Sequence, residues 1–252
     1  MGSHTTMRNL IVAFAWLSPF IAIIVWPRAP IVGIAVVAFS HALFLYPTLR
    51  PNVQWFGPVL TRFATENREV WLTIDDGPTD DTPAILDLLA LKNVTATFFV
   101  KGALAARRPE LVKAILDRGH AIGNHSFTHP SAIFWCLPPG STAEEIDRCN
   151  AVIGIQRYFR APVGMKNPGV HPLLAARGMR LIGWTARGFD AIRVDPTRVA
   201  ARILRRVEPG AIIVMHQGRP HSLTCIERVV DDLRGSGYSF VIPADDRLKT
   251  NR

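Results

Sequence analysis

Two adjacent carboxylates, Asp75 and Asp76, close the apolar run Val70-Trp71-Leu72-Thr73-Ile74 and open onto Gly77-Pro78. At a strand exit, such a doublet can offer one carboxylate to a metal and the other to a proton. Asp-Gly and Gly-Pro are also ordinary turn pairs, because Asp tolerates turn conformations, so the doublet needs partners before it means chemistry. Further along, His125-Ser126-Phe127-Thr128-His129 carries two imidazoles four positions apart. A helical turn would bring both to one face. With an Asp they form a two-imidazole, one-carboxylate set that leaves positions open for water and substrate, a set suited to hydrolysis. His216 ends the apolar run Ala211-Ile212-Ile213-Val214-Met215 and is a candidate general acid, against the alternative of a structural histidine. Arg160 follows Tyr158-Phe159, where a fixed guanidinium could orient a carboxylate or simply form a surface salt bridge.

The elements that must position these residues follow from short β-rich runs alternating with helix-period segments. Strands are expected at 70–74, 96–100, 120–123, 158–160, 180–184, 211–216 and 239–242, and helices near 82–91, 109–118, 142–155, 171–177, 197–206 and 223–234. Pro109 and Pro196 stand where a helix start tolerates a missing N–H, and Gly119, Gly178 and Gly235 follow basic helix ends. The alternation predicts an α/β fold with a mostly parallel sheet, open or closed into a barrel. In a closed barrel the strand C-termini collect the functional side chains.

The N-terminal region is different. Residues 10–26 and 31–46 are nearly continuous apolar stretches, separated by Pro27-Arg28-Ala29-Pro30. Each approaches the ~20 residues that span a bilayer. A signal peptide would show one such core, and buried helices hydrophobic all round would need complete burial, so a helical hairpin in the membrane is the preferred reading. Two crossings put Arg8 and the domain after Arg50 on one side, which the positive-inside rule makes cytoplasmic, with Arg28 in the connection opposing it. Lys plus Arg number 29 against 20 for Asp plus Glu, a formal charge of +9. The basic residues are scattered and lack a nucleic-acid motif, so anionic headgroups or phosphorylated substrates fit better than nucleic acid. Cys136, Cys149 and Cys225 are too few and too far apart for a disulfide framework or a thiolate zinc site.

Taken together, these residues resemble the polysaccharide deacetylase family (carbohydrate esterase family 4) over about residues 70–243. Thr73-Ile74-Asp75-Asp76-Gly77-Pro78 matches its Thr-Phe-Asp-Asp-Gly-Pro signature, and His125-Ser126-Phe127-Thr128-His129 its His-(Ser/Thr)-x-x-His signature. The resemblance implies a distorted (β/α)7 barrel. It also implies one divalent metal on Asp76, His125 and His129, zinc (Zn) first and Co, Mn or Ni as alternatives. Asp75 would be the general base, Arg160 its support and His216 the general acid. The backbone after Pro162, at Val163, would complete an oxyanion hole. This chain departs from the family pattern at Val163, where an aromatic is usual, and at Gln217, where Asp often follows the histidine. The family's fourth motif is displaced here: the segment Trp184-Thr185-Ala186-Arg187-Gly188-Phe189-Asp190 offers Asp190 as partner for His216 and Trp184 as a candidate substrate contact, with Arg187 either a substrate-phosphate contact or only a barrel salt bridge. Lys166-Asn167 and Arg219-Pro220-His221 could add polarity to the same rim, or be solvated surface.

The expected organisation is therefore a tag or scar at 1–7, a membrane-associated hairpin at 8–50, a linker at 51–69, a metal-dependent deacetylase barrel at 70–245 and a tail at 246–252. The expected activity is removal of an N-acyl group, acetyl or formyl, from an amino sugar of a lipid-linked or cell-envelope glycan at the bacterial inner membrane. A periplasm-facing chitooligosaccharide or peptidoglycan deacetylase, hydrolysis of a non-sugar amide, and a non-catalytic membrane-tethered glycan-binding protein are the alternatives.

Overall fold

The computed structural model describes residues 2–250. Two antiparallel helices come first, α1 (Gly2–Val25) and α2 (Pro30–Leu49). They meet through small residues. Gly33 lies so close to Ala22 that a Cβ there would sit 3.1 Å from the Ala22 carbonyl oxygen, and the Ser40 hydroxyl donates to Ser18 Oγ at 2.6 Å. Helices in a bilayer, where no hydrophobic force drives them together, also associate by close approach through small and hydroxyl side chains. Their outer faces expose Trp16, Ile24 and Ile31. Spans of 23 and 20 residues, with mean hydropathies of 1.9 and 1.8, are long and apolar enough to cross a bilayer. The helix already includes the segment expected as a scar, from Gly2 onward.

The rest of the described chain is one curled sheet with helices outside it. The strands are β1 (Leu60–Phe63), β2 (Glu69–Gly77), β3 (Ala96–Val100), β4 (Ala121–Asn124), β5 (Tyr158–Phe159), β6 (Arg180–Leu181), β7 (Ala186–Arg187), β8 (Ala211–His216), β9 (Ser239–Phe240) and β10 (Leu248–Thr250). The remaining helices are α3 (Thr82–Leu91), α4 (Gly102–Arg107), α5 (Pro109–Asp117), α6 (Pro139–Ile153), α7 (Val170–Ala175), α8 (Pro196–Leu204) and α9 (Ser222–Gly235). The sheet runs β10-β1-β8-β2-β3-β4-β5-β6, with β7 on β8 and β9 on β2. A parallel bridge between Leu60 and Ile182 returns the far end of the sheet to β1. The strands β1, β8, β2, β3, β4, β5 and β6 thus curl into a barrel whose seam is that bridge.

The period-two alternation of a strand sorts β2 into two environments. Val70, Leu72 and Ile74 pack outward with Leu86 of α3, Val199 of α8 and Val229 of α9. Trp71 packs with Phe99 and Ile212 in a separate inner cluster, and its indole N–H donates to Thr97 Oγ1 at 2.9 Å. Both faces are buried, which is why the run reads as continuously apolar. Asp75 follows Trp71 and Thr73 on the inner face, and it pairs in register with His216 of β8.

Three expectations about the elements change. The presumed linker 51–69 supplies β1, and the presumed tail 246–252 supplies β10, which pairs with β1 antiparallel. Each is too short to show an alternation, yet Phe63 and Leu248 are buried. The strand expected at 180–184 stops at Leu181, and the chain resumes pairing as β7. Gly183 lies between them, with no room for a side chain: a Cβ there would meet Asn52 Oδ1 at 2.5 Å.

Candidate active site

Asp75 and Asp76 lie within β2 rather than after it. The β2–β3 register slips between Asp75 and Gly77, and Asp76 takes a left-handed φ of 78°. This bulge stops the two carboxylates from pointing to opposite faces of the sheet. Gly77 cannot carry a side chain, because a Cβ would lie 1.8 Å from Gln217 Nε2. Gln217 itself is buried and accepts the hydroxyls of Thr82 at 2.6 Å and Thr79 at 3.1 Å. The residue that departs from the family pattern after His216 therefore braces the Asp-Asp-Gly-Pro turn.

Arg160 is wholly buried at the end of β5. Its Nη1 donates to Asp75 Oδ1 and to Thr73 Oγ1, both at 2.7 Å, and its Nη2 to the Gly183 carbonyl at 3.0 Å. The guanidinium also lies 4.2 Å from the Phe99 ring centroid. It is held on every side and fixes one oxygen of Asp75, leaving Oδ2 toward the site. Burial pushes Asp75 upward in pKa, opposed by Arg160 and His216.

The two imidazoles converge without a helix. Ser126 and His129 have φ of 63° and 56°, and the chain turns through these left-handed residues to bring the rings to 4.6 Å between centroids. Ser126 N–H donates to Asn124 Oδ1, and Ser126 Oγ accepts the His129 N–H. The four-residue spacing was informative, but its helical reading is corrected. His125 Nδ1 donates to the Arg160 carbonyl at 2.8 Å, which turns the Nε2 lone pair toward Asp76, 3.8 Å from Oδ1. His129 Nε2 is 3.6 Å from the same oxygen.

Asp76, His125 and His129 present ligand atoms within 4.8 Å of one another. Burial lowers His125 to about 4 and His129 to about 3, so both imidazoles are neutral and can ligate. Burial alone would raise Asp76; the positive charges that His125, Lys101, His216 and His129 carry at the low pH where it titrates outweigh burial and hold the carboxyl well below its usual range. Asp76 Oδ1 is buried without a hydrogen-bond donor. Lys101 Nζ lies 2.9 Å away and makes an ion pair with it. Two neutral imidazoles and a buried carboxylate oxygen, with ligand atoms this close together, fit a divalent cation.

Opposite them, Asp190 is buried and accepts twice from His216, from its N–H at 2.6 Å and from Nδ1 at 3.0 Å. Burial opposes protonation of His216, but Asp190 and the two site carboxylates raise its pKa. With Nδ1 committed to Asp190, Nε2 faces the carboxylates. The Asp190 carbonyl in turn accepts from His221 Nε2 at 2.7 Å.

The remaining candidates are distributed around the rim. Pro162 is buried and starts a short 3-10 turn, in which Val163 is exposed with φ 50°. Trp184 is nearly buried and packs beside Gly164. Arg187 stacks 4.0 Å over Phe189 and 5.4 Å from the Trp184 centroid, with Nε buried and unpartnered. Arg219 reaches within 4.0 Å of Asp76 Oδ2. Lys166 and Asn167 are not rim residues. Lys166 is fully buried and donates to the Arg50 and Pro51 carbonyls at 2.7 and 3.0 Å, and Asn167 donates to the Phe134 carbonyl at 3.2 Å. Sequence reasoning missed Lys101 and Thr73; Lys101 follows the apolar strand β3, the position that singled out Asp75 and His216 in theirs.

The polysaccharide deacetylase family profile matches residues 63–182. A chitooligosaccharide deacetylase of Bradyrhizobium sp. is 33% identical over 188 residues, covering 71% of this chain and 85% of that protein. The peptidoglycan-N-acetylglucosamine deacetylase PgdA of Listeria monocytogenes is 33% identical over 187 residues, 71% of this chain and 38% of the larger protein. Among solved structures, the family 4 carbohydrate esterase of Streptomyces lividans in complex with acetate superposes with a TM-score of 0.66 at 29% identity, covering 74% of this chain and 99% of that one.

Proposed function

Because this chain belongs to the polysaccharide deacetylase family, we propose that it removes an N-acyl group from an amino sugar, with a divalent cation held by Asp76, His125 and His129. The observation that carries this is the convergence of a neutral His pair and a buried Asp76 oxygen with an Arg-fixed carboxylate and an Asp-backed imidazole. The cation, zinc by its donor set, would supply Lewis-acid polarisation of the amide carbonyl and make water acidic enough to be deprotonated.

This chain's own residues do the rest. Asp75 Oδ2 accepts the proton of the attacking water, and Arg160 holds Oδ1 so that the free oxygen keeps one direction. The Val163 N–H receives the charge developing on the carbonyl oxygen. His216 Nε2 delivers a proton to the leaving amine, and Asp190 keeps that imidazole protonated and oriented. Trp184 and Arg187 line the approach, where the Arg187 guanidinium, which feels the charges of Asp190 and Asp75 but makes no ion pair among the described residues, suits a phosphorylated sugar.

Attachment of the hairpin supports a lipid-linked glycan at the bacterial inner membrane. The exit of α2 is bound to the segments that carry the rim: the buried Lys166 clasps Arg50 and Pro51 from beneath, Pro51 packs on Gly164, and Asn52 Nδ2 donates to the Trp184 carbonyl at 2.7 Å. A sugar presented at headgroup depth is thus beside the catalytic groups. Arg8 and Arg50 favour a cytoplasmic barrel. The relatives named for chitooligosaccharide and peptidoglycan support a second reading, a free or cell-wall glycan on the periplasmic side.

The test is purified full-length chain in detergent, assayed by mass spectrometry for acyl loss from an undecaprenyl-phosphate-linked N-acyl amino sugar and from chitotetraose, with bound metal quantified. Metal-dependent turnover of the lipid-linked compound supports the first reading. Turnover confined to chitotetraose supports the second, and metal-free protein with no turnover sinks both.

A further inference from the structure

A cavity of about 850 Å³ lies on the outside of the barrel, between the first turns of α1 and the α7–β6 segment. None of Asp75, Asp76, His125, His129 or His216 lines it. Phe56, Met179 and Leu181 form apolar wall, while Arg8 of α1, Arg180 of β6 and His171 of α7 supply polar groups; no Asp or Glu lines it. Among the described residues, neither Arg8 nor Arg180 is in an ion pair, although the Asp245 carboxylate lies near enough to Arg180 to be lowered in pKa by its charge. Arg8 donates to the Asn9 side chain and Arg180 to the Asp245 backbone carbonyl. The His171 ring covers Gly57, where a Cβ would lie 2.4 Å from it, and its Nε2 is buried without a partner. Burial, with Lys166, Arg8 and His4 nearby, takes this imidazole down to about 3, so it is neutral.

The cavity is therefore amphipathic and of one sign. Arg8 stands at the foot of an apolar span, the depth at which a basic side chain meets lipid headgroups. A volume of this size is in the range of ligand sites, and it can hold a headgroup, a glycerol and upper acyl carbons. We propose that it binds an anionic glycerophospholipid of the surrounding bilayer, with the phosphate between Arg8 and Arg180, a lipid oxygen on His171 Nε2, and acyl carbons against Phe56, Met179 and Leu181. The inference rests on the reading of α1 and α2 as membrane spans. It makes the lipid a wedge between hairpin and barrel, separate from the substrate.

The full-length chain is reconstituted into nanodiscs of mixed phosphatidylcholine and phosphatidylglycerol, and lipid adducts are counted by native mass spectrometry after release. One retained phosphatidylglycerol is expected. The pair Arg8→Glu with Arg180→Glu should lower its occupancy roughly tenfold or more. Ala175→Trp, which fills the cavity from α7 without touching a charge, should exclude it with circular dichroism unchanged. Retention of the adduct in both variants, or equal retention of phosphatidylcholine, overturns the proposal. Carbonate extraction separates the two readings. A chain stripped from membranes overturns the hairpin and the lipid site together, whereas one that resists extraction but shows no phosphatidylglycerol preference overturns the lipid site alone.

Discussion

Asp75 and Asp76 are neighbours in sequence, yet their carboxylates occupy different surroundings. Asp75 is tied to a buried guanidinium, while Asp76 faces two neutral imidazoles. Asp75→Asn should retain metal while kcat falls about 10²–10⁴-fold, the usual contribution of a general base; Asp76→Ala should lose the metal itself. Plasma emission analysis beside steady-state rates tells these apart, and equal metal loss in both variants contradicts the division of labour. Asp190 raises the pKa of His216, and a general acid works only while protonated, so activity is lost as pH rises through that pKa. Asp190→Asn removes the raising charge and should move the alkaline limb of the kcat profile to lower pH. An unmoved limb means that another group donates the proton. Side-chain identity and order made most of this legible in sequence, because strand exits gather at one rim. Lys101 and the bracing role of Gln217 were not legible, since both depend on which loops meet across the barrel.

At the scale of elements, the site is made by strand geometry and by left-handed turns. Among the described residues, six non-glycine residues have φ between 49° and 78°, and all but Asn93 (Asp76, Ser126, His129, Val163 and Phe189) belong to the site or adjoin its candidate residues. Such conformations cost on the order of 1–3 kcal/mol each and persist where surrounding structure imposes them. Periodicity cannot show them, which is why the His125–His129 spacing pointed to a helix that is absent. The apolar pattern did locate α3 and β8 to the residue, because α3 repeats its apolar positions at helical spacing and β8 is an unbroken apolar run closed by His216. It missed β1, β7 and β10, which have only two to four residues and whose pairing partners lie far along the chain. The clasp between α2 and the rim gives a separate prediction. Lys166→Met leaves the Arg50 and Pro51 carbonyls without their donor, and should lower turnover of a lipid-linked substrate several-fold while sparing a soluble one. Equal loss on both substrates, followed in detergent by product mass, means that Lys166 acts only on barrel stability.

For the whole molecule, burial of neutral histidines couples stability to pH. His120 and His125 are lowered to about 4, and His129 and His171 to about 3, each by burial first. The unfolded chain binds protons near pH 6.5 and the folded chain does not, so stability is complete above about 6.5 and declines as pH falls toward 4. Thermal midpoints in detergent with chelator, followed by tryptophan fluorescence, should drop across that window, and His120→Asn should flatten the slope. Added zinc should raise the midpoint at neutral pH and lose that effect on acidification, as protons compete for its ligands. A midpoint constant from pH 7 to 4 contradicts this account. The seam of the barrel bears on how the chain is made. During synthesis β1 emerges directly behind the hairpin, but its partners are Ile182, β8 and β10. At roughly 5–20 residues per second, the ribosome leaves β1 without any of them for several seconds or more after the hairpin is complete. An unpaired strand is exposed to wrong partners, so the newborn chain is most vulnerable at the place where the finished barrel is later sewn shut.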